Sequence, residues 1–354
     1  MADPTHPGQA ASVRAYSPGR VNLIGDHTDY NGGVALPMAI DLGTTVTFVP
    51  DGGPRIVLRS SLEADPADVE LDLRLDPLAL QGLEPTWARY VAAVASAVRP
   101  PSGGSGTVLS TLPVGAGLSS SAALEVALAL VFGCVADPVT LARTCQHAEQ
   151  VATGVPTGIM DQLVVSAAQE GCALLIDFAD LSFEPVEMPA GVDVVVVHSG
   201  ESRRLEGSAY GLRRTECEAA ALRLGPLGDL DSAVAGAIPD PLLRRRARHV
   251  SSECERVRAF TAALRAGDLL EAGRIMSASH RSLAVDFEVS TPALDALVDW
   301  LERQPGVLGS RLTGAGFGGC VVALTEAGAL DTDSLRTPAW RVRAAGGAHL
   351  VTDA

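Results

Sequence analysis

An α+β fold in two domains is what this sequence predicts. Three observations lead there. Strand-like and helix-like runs alternate irregularly instead of as regular βαβ units, which argues against a doubly wound parallel sheet. The chain changes character past its middle, where a β-branched run, Val192–His198, is followed by four helical segments before strands return. Finally, 354 residues with 47% hydrophobic content can build two or three domain-sized units, each with its own core.

The elements follow in order. Val13–Tyr16 is predicted as a short strand, leading into Ser17–Gly33, which is dense in Gly, Asn and Asp around an apolar centre. Thr44–Val49 and Arg55–Leu58 carry strand patterns, and Ser61–Leu80 is acidic with weaker ones. Pro85–Val98 spaces Trp87, Tyr90, Val91 and Val94 as a helix does, and Pro100–Gly106 is a linker. Thr107–Leu112 is a strand. After the turn that follows comes Ala122–Ala136, a buried helix whose only charge is Glu125. Asp137-Pro138 breaks it. Val139–Ala152 and Ile159–Ala168 are helices, and Cys172–Phe178 is a strand. The domain boundary is expected between Phe178 and Asp193, giving units 1–180 and 181–354. In the second unit Leu205–Leu224, Pro241–Ala266, Asp268–Ala284 and Thr291–Arg303 are predicted helices. Val307–Thr313 and Phe317–Leu324 are strands around GAGFGG, and Trp340–Leu350 is a last strand.

Composition excludes several functions. A net charge of −15 repels nucleic acid and anionic membrane alike. The one basic cluster, Arg244–Arg248, is expected to be a solvated helix face. The longest apolar runs are too short to span a bilayer. MADPTHPGQA has neither a basic nor an apolar region of a signal peptide, so a soluble cytoplasmic protein is expected. The six cysteines show no CxxC spacing and are expected to be reduced thiols. Lysine is absent, since all 27 basic residues are arginine. That removes the P-loop GK[ST] signature, the protein-kinase lysine and Schiff-base chemistry. Assembly leaves no signal, and a monomer is the default.

Pro113–Glu125, PVGAGLSSSAALE, joins a strand to a helix through two glycines and three serines. Glycines admit a close ligand, and a helix start offers free N–H groups and the positive end of a dipole. The turn therefore suits an anion, most often phosphate. A plain strand–turn–helix joint with a serine N-cap explains the same residues. If phosphate binds, backbone N–H groups, arginine and a metal ion must supply the charge that lysine cannot.

Four segments match one pattern in order: PGRVNLIGDHTDYNGG at Pro18–Gly33, PVGAGLSSSAALE, GIMDQ at Gly158–Gln162, and RLTGAGFGGC at Arg311–Cys320. Together they resemble the galactokinases of the GHMP family of small-molecule kinases. The resemblance implies a two-domain α+β fold with the active site in the interdomain cleft. It also implies transfer of the γ-phosphoryl group of ATP to the 1-hydroxyl of galactose, with Mg2+. Such transfer needs positioning and charge stabilisation more than covalent chemistry.

By the same resemblance Asp161 is the catalytic aspartate, either general base or orienting group, and Arg20 is the active-site arginine. Gly115, Ala116, Gly117, Leu118, Ser119, Ser120 and Ser121 would hold the nucleotide phosphates, with Ser121 and Glu149 on magnesium. Asp29 would take two sugar hydroxyls, Asp26 and His27 would lie near the 6-hydroxyl, Tyr210 near the 4-hydroxyl, and Gly158 would offer a backbone contact. Gly314, Gly316, Gly318 and Gly319 would let the third motif approach the phosphates. Four positions depart from the family pattern: Asp26 for glutamate, Arg203 for histidine, and Ala284-Val285 for an Arg-Asp pair. They leave open a kinase for another sugar, such as galacturonate, an amino-sugar or arabinose. A sugar sensor without turnover is the reading from a different class, and the intact serine–alanine turn speaks against it.

Overall fold

The computed structural model describes residues 11–71, 80–113, 115–201 and 207–352. Val114, Arg203 and parts of the predicted segments Ser61–Leu80 and Leu205–Leu224 lie outside them.

Two sheets organise the chain. In the first, β1 (Val13–Ile24) and β2 (Val34–Pro50) form a long antiparallel pair. β2 also pairs β5 (Gly104–Ser110), which lies parallel to β3 (Arg55–Ser60), and β3 pairs β4 (Ala67–Glu70). β6 (Cys172–Asp177) joins the inner end of β2, and β7 (Ser182–Glu187) follows it. The second sheet is antiparallel, in the order β11 (Ala339–Val342), β8 (Val192–His198), β10 (Cys320–Glu326), β9 (Val307–Thr313).

Helices α1 (Ala88–Val98), α2 (Ser120–Val131), α3 (Pro138–Thr153) and α4 (Met160–Ala167) accompany the first sheet. Helices α5 (Gly207–Leu224), α6 (Pro241–Ala266), α7 (Leu269–Ser282) and α8 (Pro292–Leu301) accompany the second. Three of these starts repeat one local device. Asp137, Asp240 and Thr291 each cap a helix with a side-chain oxygen, and proline follows at the first helical position. There its missing N–H costs nothing and its fixed φ suits the helix.

The β-branched run in β8 has apolar partners on both faces. Val194 and Val196 pack with Val322 and Leu324 against β1, β2 and α6, whereas Val195 and Val197 pack against α5, α6 and α8. A strand covered on both sides loses polar alternation, which is why the run is so uniform in sequence. The cluster on the β1 side draws residues from both sheets, so the two halves share apolar core.

Three expectations are corrected. β1 continues to Ile24 instead of ending at Tyr16, because a register shift at Pro18/Gly19 absorbs the proline within the strand. Trp340–Leu350 is two strands in two sheets. After β11 the chain crosses back, with Ala345 N–H donating to Ala39 O, and β12 (His349–Leu350) pairs β1. Glycine at 347 lets the returning chain pass close to α4, where a Cβ would stand 2.9 Å from Ser166 O. Nor is Arg244–Arg248 solvated throughout: Arg248 is half exposed, but Arg246 is 1% exposed and pairs with Glu216 and Glu288. Among the described residues, no helix is long and apolar enough to cross a membrane.

Candidate active site

The Gly/Ser turn links β5 to α2. Residues 115, 117 and 119 have φ of +75°, +76° and +58°. Left-handed residues at alternate positions turn successive N–H groups toward one side, the geometry of an anion nest. Ala116 and Leu118 point the other way and are buried in the core. Ser119 occupies the N-cap position of α2 but makes no cap; its hydroxyl donates to Asp161 instead. The serine-cap explanation of the turn therefore fails, and α2 begins without a side-chain cap.

Arg20 leaves β1 beside the register shift and is 3% exposed. Its Nε donates to Asp161 Oδ1 at 2.8 Å and its Nη2 to Oδ2 at 2.7 Å, a two-pronged pair. Nη1 donates to Gly117 O at 2.7 Å, and the Arg20 main-chain N–H donates to Leu118 O at 3.2 Å. β1 can lie this close to the turn because residue 19 is glycine. A Cβ there would stand 2.7 Å from Leu118 O. One guanidinium thus ties the turn to Asp161, in the first turn of α4.

On the far side of the turn, Ser121 Oγ donates to Glu149 Oε1 at 2.8 Å. Glu149 Oε2 accepts from Thr157 Oγ1 at 2.8 Å and from Gln162 Nε2 at 3.0 Å. The same Nε2 lies 3.0 Å from Oε2 of the fully buried Glu125. Burial first, and the charge of Glu149 second, push the Glu125 carboxyl well above its ordinary value. No group of three or more His, Cys, Asp or Glu side chains suited to a metal occurs among the described residues. One hydroxyl and one carboxylate oxygen fit a hard cation that keeps waters and phosphate oxygens as its other ligands.

The opposite wall carries the first motif. Asp29 lies in the single turn Asp29–Asn31, against Gly158. A Cβ at residue 158 would stand 1.5 Å from Asp29 Oδ2, so only glycine fits. Burial, and next the charge of Asp161, raise Asp29 to about 6. His27, at φ +66°, has Nδ1 2.9 Å from the Tyr30 hydroxyl, and its ring lies 4.5 Å from Phe287 and 5.9 Å from Tyr210.

Asp26 is deeper, at 2% exposure, and is engaged within the protein. Its Oδ2 pairs with the fully buried Arg311 and its Oδ1 accepts from Gly314 N–H at 3.1 Å. Around it, Glu253 accepts from Gly25 N–H and the Ser279 hydroxyl and pairs with Arg256. Burial alone would push Glu253 up, yet Arg256 and Arg311 hold it at about 2. Burial lowers the neighbouring His249 to about 4.

These walls enclose a cavity of about 290 Å³. Every residue expected to act on sugar, phosphate, metal or proton lines it except Ala116 and Leu118, and of the third-motif glycines Gly314 lines it while Gly316, Gly318 and Gly319 do not. Gly314 and Ala315 reach it from the third motif, and a Cβ at Gly319 would lie 3.6 Å from Ala116 O. Val285, one of the departures, is 64% exposed and does not line the cavity. Tyr90, Thr153, Val155, Thr157 and Met160 also line it and were not singled out in the sequence. Thr157 and Met160 flank or fall within GIMDQ, which could have flagged them. Tyr90 could not be flagged, since helical spacing places it with the core residues Val91 and Val94.

Comparison with known proteins gives the chain a family. A galactokinase galactose-binding signature matches residues 6–50, and the GHMP kinase N-terminal and C-terminal domain models match residues 89–169 and 260–334. A galactokinase of Bos taurus is 42% identical over 341 residues, covering 91% of this chain and 86% of its own length. The chain belongs to the galactokinase family. Another family member, from Chloroflexus aurantiacus, is also 42% identical, over 90% of this chain and 85% of its own. The galactokinase of Lactococcus lactis, solved with galactose, superposes with a TM-score of 0.88 at 29% identity, covering 96% of this chain and 95% of its own. At 18% identity, the mevalonate kinase of Methanococcus jannaschii shares the wider fold, with a TM-score of 0.64 over 96% of this chain and all of its own.

Proposed function

We propose that this galactokinase-family enzyme transfers the γ-phosphoryl group of ATP to the 1-hydroxyl of galactose. The observation that carries the reading is the position of Asp161. It stands in the cavity between the Gly/Ser nest and Asp29, held by an arginine that also bonds the nest. In our assignment the nest at residues 115–121 takes the nucleotide phosphates, and Asp29, His27, Tyr210 and the Gly158 backbone take the sugar hydroxyls. Tyr210, Gly314 and Ala315 come from 181–354 and the rest of the lining from 1–180, so in this reading the site lies between the two proposed units.

A loose, metaphosphate-like transition state asks little of the nucleophile, and its proton leaves late. A weakly basic aspartate is therefore adequate. We assign Asp161 to accept a hydrogen bond from the attacking hydroxyl and then its proton, and Arg20 to meet charge growing on the phosphoryl oxygens. Magnesium, held by Ser121 and Glu149, would neutralise charge on the phosphates.

The test is ATP consumption across a panel of aldoses, with the product located by 31P NMR. Galactose is expected to turn over fastest, giving the 1-phosphate. A competitor preferred by a wide margin, or phosphate at another carbon, would overturn the assignment.

Asp29 makes a separate prediction. Sugar affinity is expected to fall as the pH drops through about 6, because the protonated carboxyl loses acceptor strength for sugar hydroxyls. A pH series of KM for the sugar checks this. The stability effect has the opposite sense. A carboxyl raised in the folded state destabilises it when ionised, and that penalty is full above about 6 and declines as pH falls from about 6 toward its ordinary value near 4. Asp29→Asn should therefore raise Tm at pH 7–8 while abolishing most sugar affinity.

A further inference from the structure

We propose that Glu125, acting through the side-chain amide of Gln162, is a positioning residue that fixes Glu149 for the divalent cation. The proposal rests on the cation role assigned above to Ser121 and Glu149.

Glu125 is the only charged residue of α2 and is fully buried among alanine, valine and leucine. A leucine would fill such a place at far lower cost, since burying a carboxyl is unfavourable without compensation. Among the described residues its one hydrogen-bond partner is Gln162, also fully buried, whose Nε2 spans Glu125 Oε2 and Glu149 Oε2 at 3.0 Å each. Among the described residues, Glu125 Oε1 and Gln162 Oε1 have no hydrogen-bond partner. The pair is therefore not a self-satisfied structural network, and the bridging amide is its sole polar product.

The geometry separates the two oxygens of Glu149. Oε1 faces Ser121, whereas Oε2 is fixed by Thr157 and Gln162. Oε2 is thus anchored by the protein and Oε1 is presented toward the nest. Ser121 and Glu125 are four residues apart on one face of α2, one above the other. Gln162 also follows Asp161 on α4, so the same amide couples the helices bearing Ser121, Glu149 and Asp161. Partners of this outer kind orient a metal ligand, and their loss weakens metal binding roughly 10–100-fold.

The test measures Mn2+ affinity by EPR, with a non-hydrolysable ATP analogue present, alongside galactose affinity by calorimetry. Glu125→Leu is expected to weaken Mn2+ roughly tenfold with galactose affinity unchanged. Glu125→Gln should restore it, because its carbonyl accepts the same N–H. Should Glu125→Leu fail to fold, Gln162→Met removes the bridge from the other end and should weaken Mn2+ equally. Affinity within about twofold of the wild type in the bridge-breaking variant, or no rescue by Glu125→Gln, overturns the proposal. Glu149→Ala separates the two levels. Unchanged Mn2+ affinity there overturns the cation site itself, whereas a loss there without one in Glu125→Leu overturns only the positioning role.

Discussion

Asp161→Asn is expected to reduce kcat by roughly 10³-fold or more while leaving affinity for the nucleotide within a fewfold of wild type, a loss at the upper part of the range for removing a general base. Asparagine keeps the size of the side chain and one oxygen for Arg20. It removes the charge and the capacity to take a proton. Alanine is a harsher change, because it leaves the Arg20 guanidinium, 3% exposed, with only the Gly117 carbonyl as a partner. Part of its effect would then be structural, since an unpaired buried charge is strongly destabilising. Comparing the two variants in single-turnover phosphoryl transfer and in calorimetric nucleotide binding separates chemistry from scaffold. Near-normal turnover in Asp161→Asn would remove the role assigned to Asp161.

The second large effect is expected at Arg311. Its side chain is fully buried and pairs with Asp26, reaches Asn22 O at 3.4 Å, and lies 3.9 Å from Glu253. Arg311→Met would leave two buried carboxyl groups facing a thioether, Glu253 keeping Arg256 as its ion-pair partner. A loss of about 3–5 kcal/mol is expected from breaking a buried pair in this way. Asp26→Ala should cost less, because Arg311 then retains the Asn22 carbonyl and the nearby Glu253. The double variant should be more stable than the sum of the single losses, a coupling that a denaturant-melt cycle measures directly. Additive losses would show that the pair contributes nothing of its own. The same contacts bear on Asp26→Glu. An added methylene must displace the carboxylate from Arg311 and Gly314 N–H in a site with 2% exposure, so this variant is expected to lose stability before it gains any reach toward a sugar.

Acid should loosen this region first. Glu253 is held at about 2, so its stabilising contribution is complete above its unfolded value and is lost as pH falls from about 4.5 toward 2. His249, lowered to about 4, adds a loss beginning near pH 6.5, where the unfolded chain takes up the proton that the buried ring refuses. Melting temperatures between about pH 5 and 2 are expected to decline more steeply for the wild type than for Glu253→Gln.

Much of the architecture was written in local patterns. The uniform valines of Val192–His198 encode a strand covered on both faces. Asp137-Pro138, Asp240-Pro241 and Thr291-Pro292 encode helix starts, because a capping oxygen and a fixed φ act within one turn of chain. The ordered motifs pointed to the turn at 115–121, Arg20, Asp161 and Asp29 as site candidates, and the absence of lysine excluded the P-loop before any fold was known. What only the tertiary structure decided is where the polar side chains find partners. Asp26 meets Arg311 across 285 positions of sequence, Ser119 leaves its helix to bond Asp161, and Glu125 meets Glu149 only through Gln162. Arg246, in a cluster that looks solvated, is buried between Glu216 and Glu288. Periodicity and caps are set by neighbours a few residues away, so a sequence displays them. The partner of a buried charge is set by which distant elements pack together, and no local pattern carries that information.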